Sequence, residues 1–169
     1  MRAFKKGSGF SLIELLVVLG ILGILAITVY PAVINVVRVR SLETAARDIM
    51  MELNRAKIMA VRNKTEVHVI FSQLADGTWS YVIEEQATDG TWAKPGGAAT
   101  KTISSDLQVT INLPDQNVEF SPLGVVPNFS SSQNVISLSS DKLKSMGQPD
   151  LRTLIIYGGG SVQYIKSST

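Results

Sequence analysis

Residues 9–37 read GFSLIELLVVLGILGILAITVYPAVINVV, and no residue from Leu15 to Val37 carries a charge. A helix of about 20 apolar residues crosses the hydrocarbon core of a bilayer, so this run predicts a transmembrane helix over residues 10–37. Glu14 lies at the edge of the run. An ionisable group in that position costs roughly 2.5–3.5 kcal/mol on insertion scales, which makes Glu14 a functional-site candidate in need of a charged partner.

The predicted helix contains a proline and extends beyond the apolar run. Pro31 lacks a backbone donor and its ring clashes with the carbonyl of Ile27, so a kink or local unwinding is expected there. After Val37 apolar residues recur at steps of three and four, which is typical of an amphipathic helix with one buried face. These residues are Leu42, Ala45, Ile49, Leu53, Ala56 and Ala60, and Asn63 is the predicted C-cap.

Beyond Asn63 the sequence changes to short runs of β-branched and aromatic residues between turn residues, which predicts strands. The predicted strands cover residues 66–71, 79–83, 107–113, 117–121, 135–138, 151–157 and 161–165. Asp76-Gly77 predicts the turn of the first hairpin, and three glycines at 158–160 predict that of the last. Residues 88–102, 128–134 and 141–149 are predicted loops.

The order of these elements indicates the fold class. One long helix followed only by strands favours α+β over alternating α/β. We expect a long N-terminal transmembrane helix whose second half packs on a C-terminal antiparallel β-rich domain. The expected boundaries are a leader at 1–9, a transmembrane or assembly helix at 10–37, and a soluble domain at 38–169 whose helix extends to about residue 63.

Charge and composition exclude several functions. The formal net charge is +2, but removing Arg2, Lys5 and Lys6 with residues 1–9 leaves 13 basic against 14 acidic residues. Such a balance gives no bulk attraction to DNA or anionic lipid. The chain has no cysteine and one histidine, His68. Because no zinc-ligand spacing, nucleophile elbow or phosphate loop is present, we expect neither an enzyme nor a cofactor or metal site. His68 is expected to be an ordinary strand residue.

The segment Gly9-Phe10-Ser11-Leu12-Ile13-Glu14, after a short basic leader, resembles the class III signal of type IV pilins and type II secretion pseudopilins. The resemblance implies that prepilin peptidase cleaves after Gly9 and N-methylates Phe10. It further implies that Glu14 is the residue of subunit contact in assembly. An ordinary signal peptide has an h-region of roughly 7–15 residues and a small-x-small cleavage site, so it fits this longer run less well.

A second resemblance covers residues 52–67 and 118–124, which are similar to the helix-to-strand region and a later strand of the GspH/FimT class of minor pilins. It implies a minor pseudopilin of a type II secretion system, anchored in the inner membrane by a single pass with its domain in the periplasm. Its implied partners are prepilin peptidase and other pilins or pseudopilins in a hetero-oligomeric filament.

Two alternatives stay open. One is a minor type IV pilin that acts in pilus assembly or DNA uptake. DNA-binding members of the class use a basic C-terminal segment, whereas here only Lys166 follows the last turn, so nucleic acid is not an expected partner. The other alternative is a domain held in the membrane by an uncleaved anchor.

Overall fold

The computed structural model describes residues 11–96 and 98–168, except for the side chains of residues 27–33. Contacts divide the chain into two compact units, Met1–Arg38 and Val39–Thr169. The long helix α1 (Leu12–Asn63) belongs to both. The second unit contains the rest of the regular structure, and there the predicted α+β fold is confirmed, with a helix packed on antiparallel sheets.

The C-terminal end of α1 is fixed by its neighbours. The helix ends at Asn63, as predicted, and Lys64 follows with a φ of 58°. This left-handed conformation is the usual way to terminate a helix, although glycine is the commoner residue there. The Glu85 carboxylate accepts hydrogen bonds from Asn63 Nδ2 at 2.8 Å and Thr65 Oγ1 at 2.6 Å. The Glu85 side chain of the sheet is therefore hydrogen-bonded to the residues before and after Lys64, at the C-terminal end of α1.

The first sheet follows the helix in sequence. It has the strand order β3-β2-β1-β6, and β4 also pairs with β2. Its strands are β1 (Val67–Gln73), β2 (Trp79–Gln86), β3 (Trp92–Ala93), β4 (Lys101–Thr102) and β6 (Asn117–Phe120). The register pairs Val69 with Ile83 on one side and with Val118 on the other. Because directly opposite residues share a face, these three side chains form one apolar layer.

The second sheet has the order β5-β7-β8-β9. Its strands are β5 (Gln108–Asn112), β7 (Val135–Ser139), β8 (Leu151–Ile156) and β9 (Val162–Ser167). Every pair in both sheets is antiparallel. Ile136 pairs with Leu154, and both are fully buried.

One hydrophobic core joins α1 to both sheets. The helix contributes Leu42, Ala46, Ile49, Leu53, Ala56, Met59 and Ala60. The predicted buried face is thus confirmed except at Ala45, which is only partly buried, while Ala46 takes a core position. Burying a side chain the size of Leu or Ile contributes roughly 1.5–3 kcal/mol, so this face fixes the second half of α1 to the domain.

Arg152 lies in the same core and is fully buried. Its Nη1 donates to the carbonyls of Pro149 at 3.1 Å and Leu151 at 3.0 Å. Within the described part of the chain its Nε and Nη2 have no hydrogen-bond acceptor. The Arg152 charge also contributes to lowering the pKa of Glu43, although the hydrogen bond from Arg47 to Glu43 is the larger cause.

Two of the predicted loops contain short regular elements, so the prediction of unbroken loops at 88–102 and 141–149 is wrong. The first contains β3 and β4, and the second contains the single-turn helix α2 (Asp141–Lys144). Strands of two residues are too short to show an alternating pattern. They form because β2 offers them unpaired backbone groups, which is a tertiary effect.

The predicted turn at 158–160 is confirmed as the link between β8 and β9, where Tyr157 N donates to the Ser161 carbonyl at 2.9 Å. The glycines also permit a close approach. A Cβ on Gly160 would overlap the carbonyl oxygen of Gly124, and Gly160 has a φ of +71°. The Lys57 ammonium donates to the Gly159 carbonyl at 3.1 Å, so the turn packs between the helix and the 121–125 turn.

Candidate functional site

The candidate site begins at the first turn of α1. Ser11 precedes the helix, and its carbonyl accepts hydrogen bonds from Glu14 N at 3.0 Å and Leu15 N at 3.2 Å. Glu14 is exposed in this first turn. A carboxylate there interacts favourably with the positive end of the helix dipole. Ser11 and Glu14 also have the Ser-x-x-Glu spacing of a capping box, a local signal that the sequence analysis missed.

Residues 12–26 of α1 expose apolar side chains in every direction. Exposed fractions range from 46% at Val18 to 76% at Leu12 among the large apolar residues from Leu12 to Leu25. A helix that is apolar all around is normally buried by a bilayer or by other helices. The feature that needs a partner is therefore the whole circumference of this segment.

Within residues 11–96 and 98–168, no helix combines the length and the apolar character that a membrane crossing requires.

The other sequence-predicted site residues are only partly covered by the structure. Gly9 and Phe10 lie outside the described residues, so cleavage and methylation there stay predictions. The backbone at Pro31 is helical within α1, and its side chain lies outside the description. The kink predicted at Pro31 likewise stays a prediction.

His68 lies on the opposite face of β1 from the core and is itself buried. Its ring stacks on Trp92 with centroids 3.8 Å apart, and its Nε2 lies 3.1 Å from Glu84 Oε2. Burial, followed by the charge of Glu66, raises the pKa of the nearby Glu119. Among residues 11–96 and 98–168, no group of three or more His, Asp or Glu side chains is placed to hold a metal ion. The contacts of His68 are those of a residue that packs β3 onto the sheet.

Comparison with known families supports the interpretation of the N-terminal segment. The family model of the prokaryotic N-terminal methylation motif matches residues 4–30, which include Gly9, Phe10 and Glu14. No curated protein sequence is a significant match to the chain.

Solved structures with the same fold cover most of the chain. Two structures of the minor pseudopilin EpsH from the type II secretion system of Vibrio cholerae match with TM-scores of 0.56 and 0.55, at 12% and 11% identity. They cover 75% and 77% of this chain and 97% and 96% of their own. The type IV minor pilin FimU of Pseudomonas aeruginosa matches with a TM-score of 0.51 at 16% identity, covering 76% of this chain and 90% of its own.

The chain thus combines the N-terminal methylation motif at residues 4–30 with a fold like that of minor pseudopilin and minor pilin structures.

Proposed function

We propose that the chain is a minor pseudopilin of a type II protein secretion system. In this proposal prepilin peptidase cleaves after Gly9 and methylates Phe10, and the mature chain then joins a periplasmic pseudopilus. Its role is structural rather than enzymatic. The observation that carries the proposal is the coincidence of the methylation motif at residues 4–30 with the fold of a minor pseudopilin over three quarters of the chain.

The exposed apolar segment gives this role a physical basis. Before assembly, the proposal places residues 10–37 across the inner membrane with the soluble domain in the periplasm. In the filament the same side chains pack against the helices of neighbouring subunits. Both environments remove from water the apolar surface that Leu12–Leu25 exposes, and exchange between them conserves most of the burial energy. A bend at Pro31 would let the segment adapt to the two environments.

In this proposal Glu14 fixes the axial position of one subunit relative to the next. Cleavage at Gly9 makes the Phe10 amine a cation, and Glu14 is an anion four residues further along the helix. A pair within one chain would neutralise both without a neighbour. A pair between the Glu14 of one subunit and the Phe10 amine of the next leaves an uncompensated charge until the neighbour arrives, and that penalty selects one register. We propose the intersubunit pair.

Two variants test the proposal in cells that carry the assembly machinery. Replacing Gly9 with a bulky residue should leave a full-length, membrane-held precursor, because a side chain there obstructs the peptidase. Glu14→Gln, which removes the charge at nearly constant shape, should be cleaved normally yet lose crosslinking to the adjacent subunit. Asp76→Asn, at an exposed acidic residue of the turn between β1 and β2, is the control for the loss of one carboxylate charge.

The outcomes separate the parts of the proposal. An unchanged N-terminal Phe10 in the Gly9 variant would contradict the signal assignment. Normal cleavage of Glu14→Gln with undiminished crosslinking and secretion would rule out Glu14 as an assembly determinant. A precursor that stays uncleaved in the unmodified chain would leave the domain on a permanent anchor.

A minor type IV pilin is the second candidate, and the likeness to FimU favours it. The two candidates differ in the filament that contains the mature chain. Deleting the chain's gene should impair protein secretion in the first case and pilus assembly in the second. An electrophoretic shift of DNA by the purified chain would extend the second candidate to DNA uptake.

A further inference from the structure

The exposed face of α1 in the second unit has a regular composition. Exposed residues follow one another at steps of three and four from Arg40 to Arg62, so they form one stripe along the helix. Arginine alternates along it with an uncharged residue at every step: Arg40, Thr44, Arg47, Met51, Arg55, Ile58 and Arg62. We call these seven residues the arginine ladder.

The ladder contains no carboxylate, and its charges are only partly compensated. Arg47 pairs with Glu43 at 2.8 Å, and Arg55 lies 3.7 Å from Glu52, whose other oxygen binds Lys101 at 2.7 Å. Arg62 donates to Asn63 Oδ1 at 3.2 Å, and its charge adds to the hydrogen bonds from Thr65 and Asn63 that lower the pKa of Glu85, but among the described residues neither Arg40 nor Arg62 has a carboxylate oxygen within 4 Å. Pairs on an exposed surface contribute roughly 0–1 kcal/mol, so they leave the guanidinium groups available to a better-placed anion.

The arginine ladder also contains two large apolar side chains that are exposed. Met51 and Ile58 are 57% and 65% exposed and lie seven residues apart, two helical turns along the same stripe. Together with Arg55 and Arg62 they line one wall of a groove of about 620 Å³. Glu85, Pro95 and Gly96 are also among its lining residues. The groove therefore combines apolar and cationic contacts with one carboxylate, that of Glu85.

This combination selects the kind of partner. The planar guanidinium group binds carboxylates in a bidentate manner. A phosphate polymer would satisfy the charges but leave Met51 and Ile58 without apolar contact. The spacing of seven and eight residues between successive arginines matches a partner helix that crosses at a shallow angle of about 20°. Two copies meeting ladder to ladder would bring like charges together without an exposed carboxylate on either stripe, so the partner is a different chain.

We propose that the arginine ladder docks an acidic amphipathic helix from a different subunit of the filament. Its carboxylates recur about every second turn, and apolar residues between them contact Met51 and Ile58. This inference rests on the proposed role as a filament subunit and adds the chemistry of one neighbour.

A photo-crosslinking residue at Ile58 tests the docking in the full chain, in cells that carry its assembly machinery. The same residue at Leu74, which is 44% exposed on the turn between β1 and β2, controls for random collision. Crosslinks at Ile58 should map to a helix with carboxylates at the stated spacing. Charge reversal by Arg55→Glu with Arg62→Glu should lower their yield about tenfold or more, and arginines at the mapped carboxylates should restore it.

The control for charge is Lys142→Glu with Lys144→Glu, which changes net charge equally on α2 and should leave the yield unchanged. An undiminished crosslink in the arginine variant, or a crosslink to a segment without carboxylates, would overturn the docking. A DNA duplex or anionic vesicles that bind the purified chain through the same arginines, in place of a helix, would also overturn it. If the chain is cleaved at Gly9 and enters the filament while these tests fail, only the docking is wrong. An uncleaved precursor absent from the filament defeats the proposed function as well.

Discussion

Gly160 offers a sharp test of the packing at the β8–β9 turn. Its φ of +71° disfavours any L side chain, and an added Cβ would overlap the Gly124 carbonyl oxygen. The same Cβ would lie 3.2 Å from Lys57 Nζ. The obstructing group is backbone, so it cannot move aside as the end of a flexible side chain can. Gly160→Ala therefore has to shift one turn away from the other.

The loss of stability in Gly160→Ala can be estimated by comparison with two other glycines, Gly77 and Gly159. Gly77 has a φ of +82° but open space around its Cβ, so Gly77→Ala carries only the left-handed cost of about 1–2 kcal/mol. Gly159 has open space and no positive φ, so Gly159→Ala should change stability by less than about 1 kcal/mol. Gly160→Ala adds a clash worth about 1–3 kcal/mol to the left-handed cost. A total of about 2–5 kcal/mol is a large part of a typical stability of about 5–15 kcal/mol.

Urea unfolding of a soluble chain beginning at Val37 measures the three differences. The midpoints should fall in the order Gly159→Ala, Gly77→Ala, Gly160→Ala, with similar slopes, because a changed slope would report a changed denatured state. Equal losses for Gly77→Ala and Gly160→Ala would refute the close approach and leave the glycines at 158–160 as an ordinary turn. A loss for Gly159→Ala as large as that for Gly160→Ala would refute it too.

The remaining predictions concern the domain. A chain beginning at Val37 should be soluble, monomeric and cooperatively folded. A chain that begins after Leu53 lacks half of the buried helix face, so circular dichroism should show it to be unfolded. A cooperative unfolding transition in the shorter chain would contradict this packing. Glu85 should contribute to stability in a pH-dependent way. Hydrogen bonds from Thr65 and Asn63 lower its pKa below 4.5, so its contribution is complete above that pH and is lost as the pH falls through the lowered value. Glu85→Gln should flatten the fall in melting temperature in this acidic range, and an unchanged acid limb would exclude Glu85 as a cause.

The sequence predicted most of the fold where hydrophobic period and burial agree. Leu42, Ile49, Leu53, Ala56 and Ala60 recur at helical spacing, and all five are fully buried. The longer strands were likewise found, because each alternates over four or more residues. Strands as short as β3 and β4 are too short to show an alternating pattern, and they form only because β2 pairs with them.

Arg152 shows where the pattern misleads. It occupies an inward position of β8, beside Leu154 on the same face and opposite Leu138 and Lys166 on the flanking strands, and is fully buried although it is charged. Charged residues are almost never buried without a partner, so the sequence gives no reason to expect it in the core. Within the described residues the structure satisfies only one of its nitrogens, through two backbone carbonyls. These carbonyls belong to Pro149, just before β8, and to Leu151, its first residue, and their position beside the buried guanidinium is a feature of the folded chain that no sequence pattern predicts.

The candidate site likewise has a part that the sequence predicts and a part that only the structure shows. The cost of a charge beside an apolar run predicted Glu14 as a site residue, and the resemblance of residues 9–14 to the class III signal predicted the cleavage site; both roles stay predictions. The arginine ladder was not identified, since helical period alone cannot tell which of two apolar sets faces the sheets. Met51 and Ile58 have a helical spacing, as Ile49 and Leu53 do. Only the packing of the helix on the sheets buries the second pair and leaves the first pair exposed. Both side chains of the exposed pair lie outside the core of the domain, and the proposed contact with a second helix would bury them.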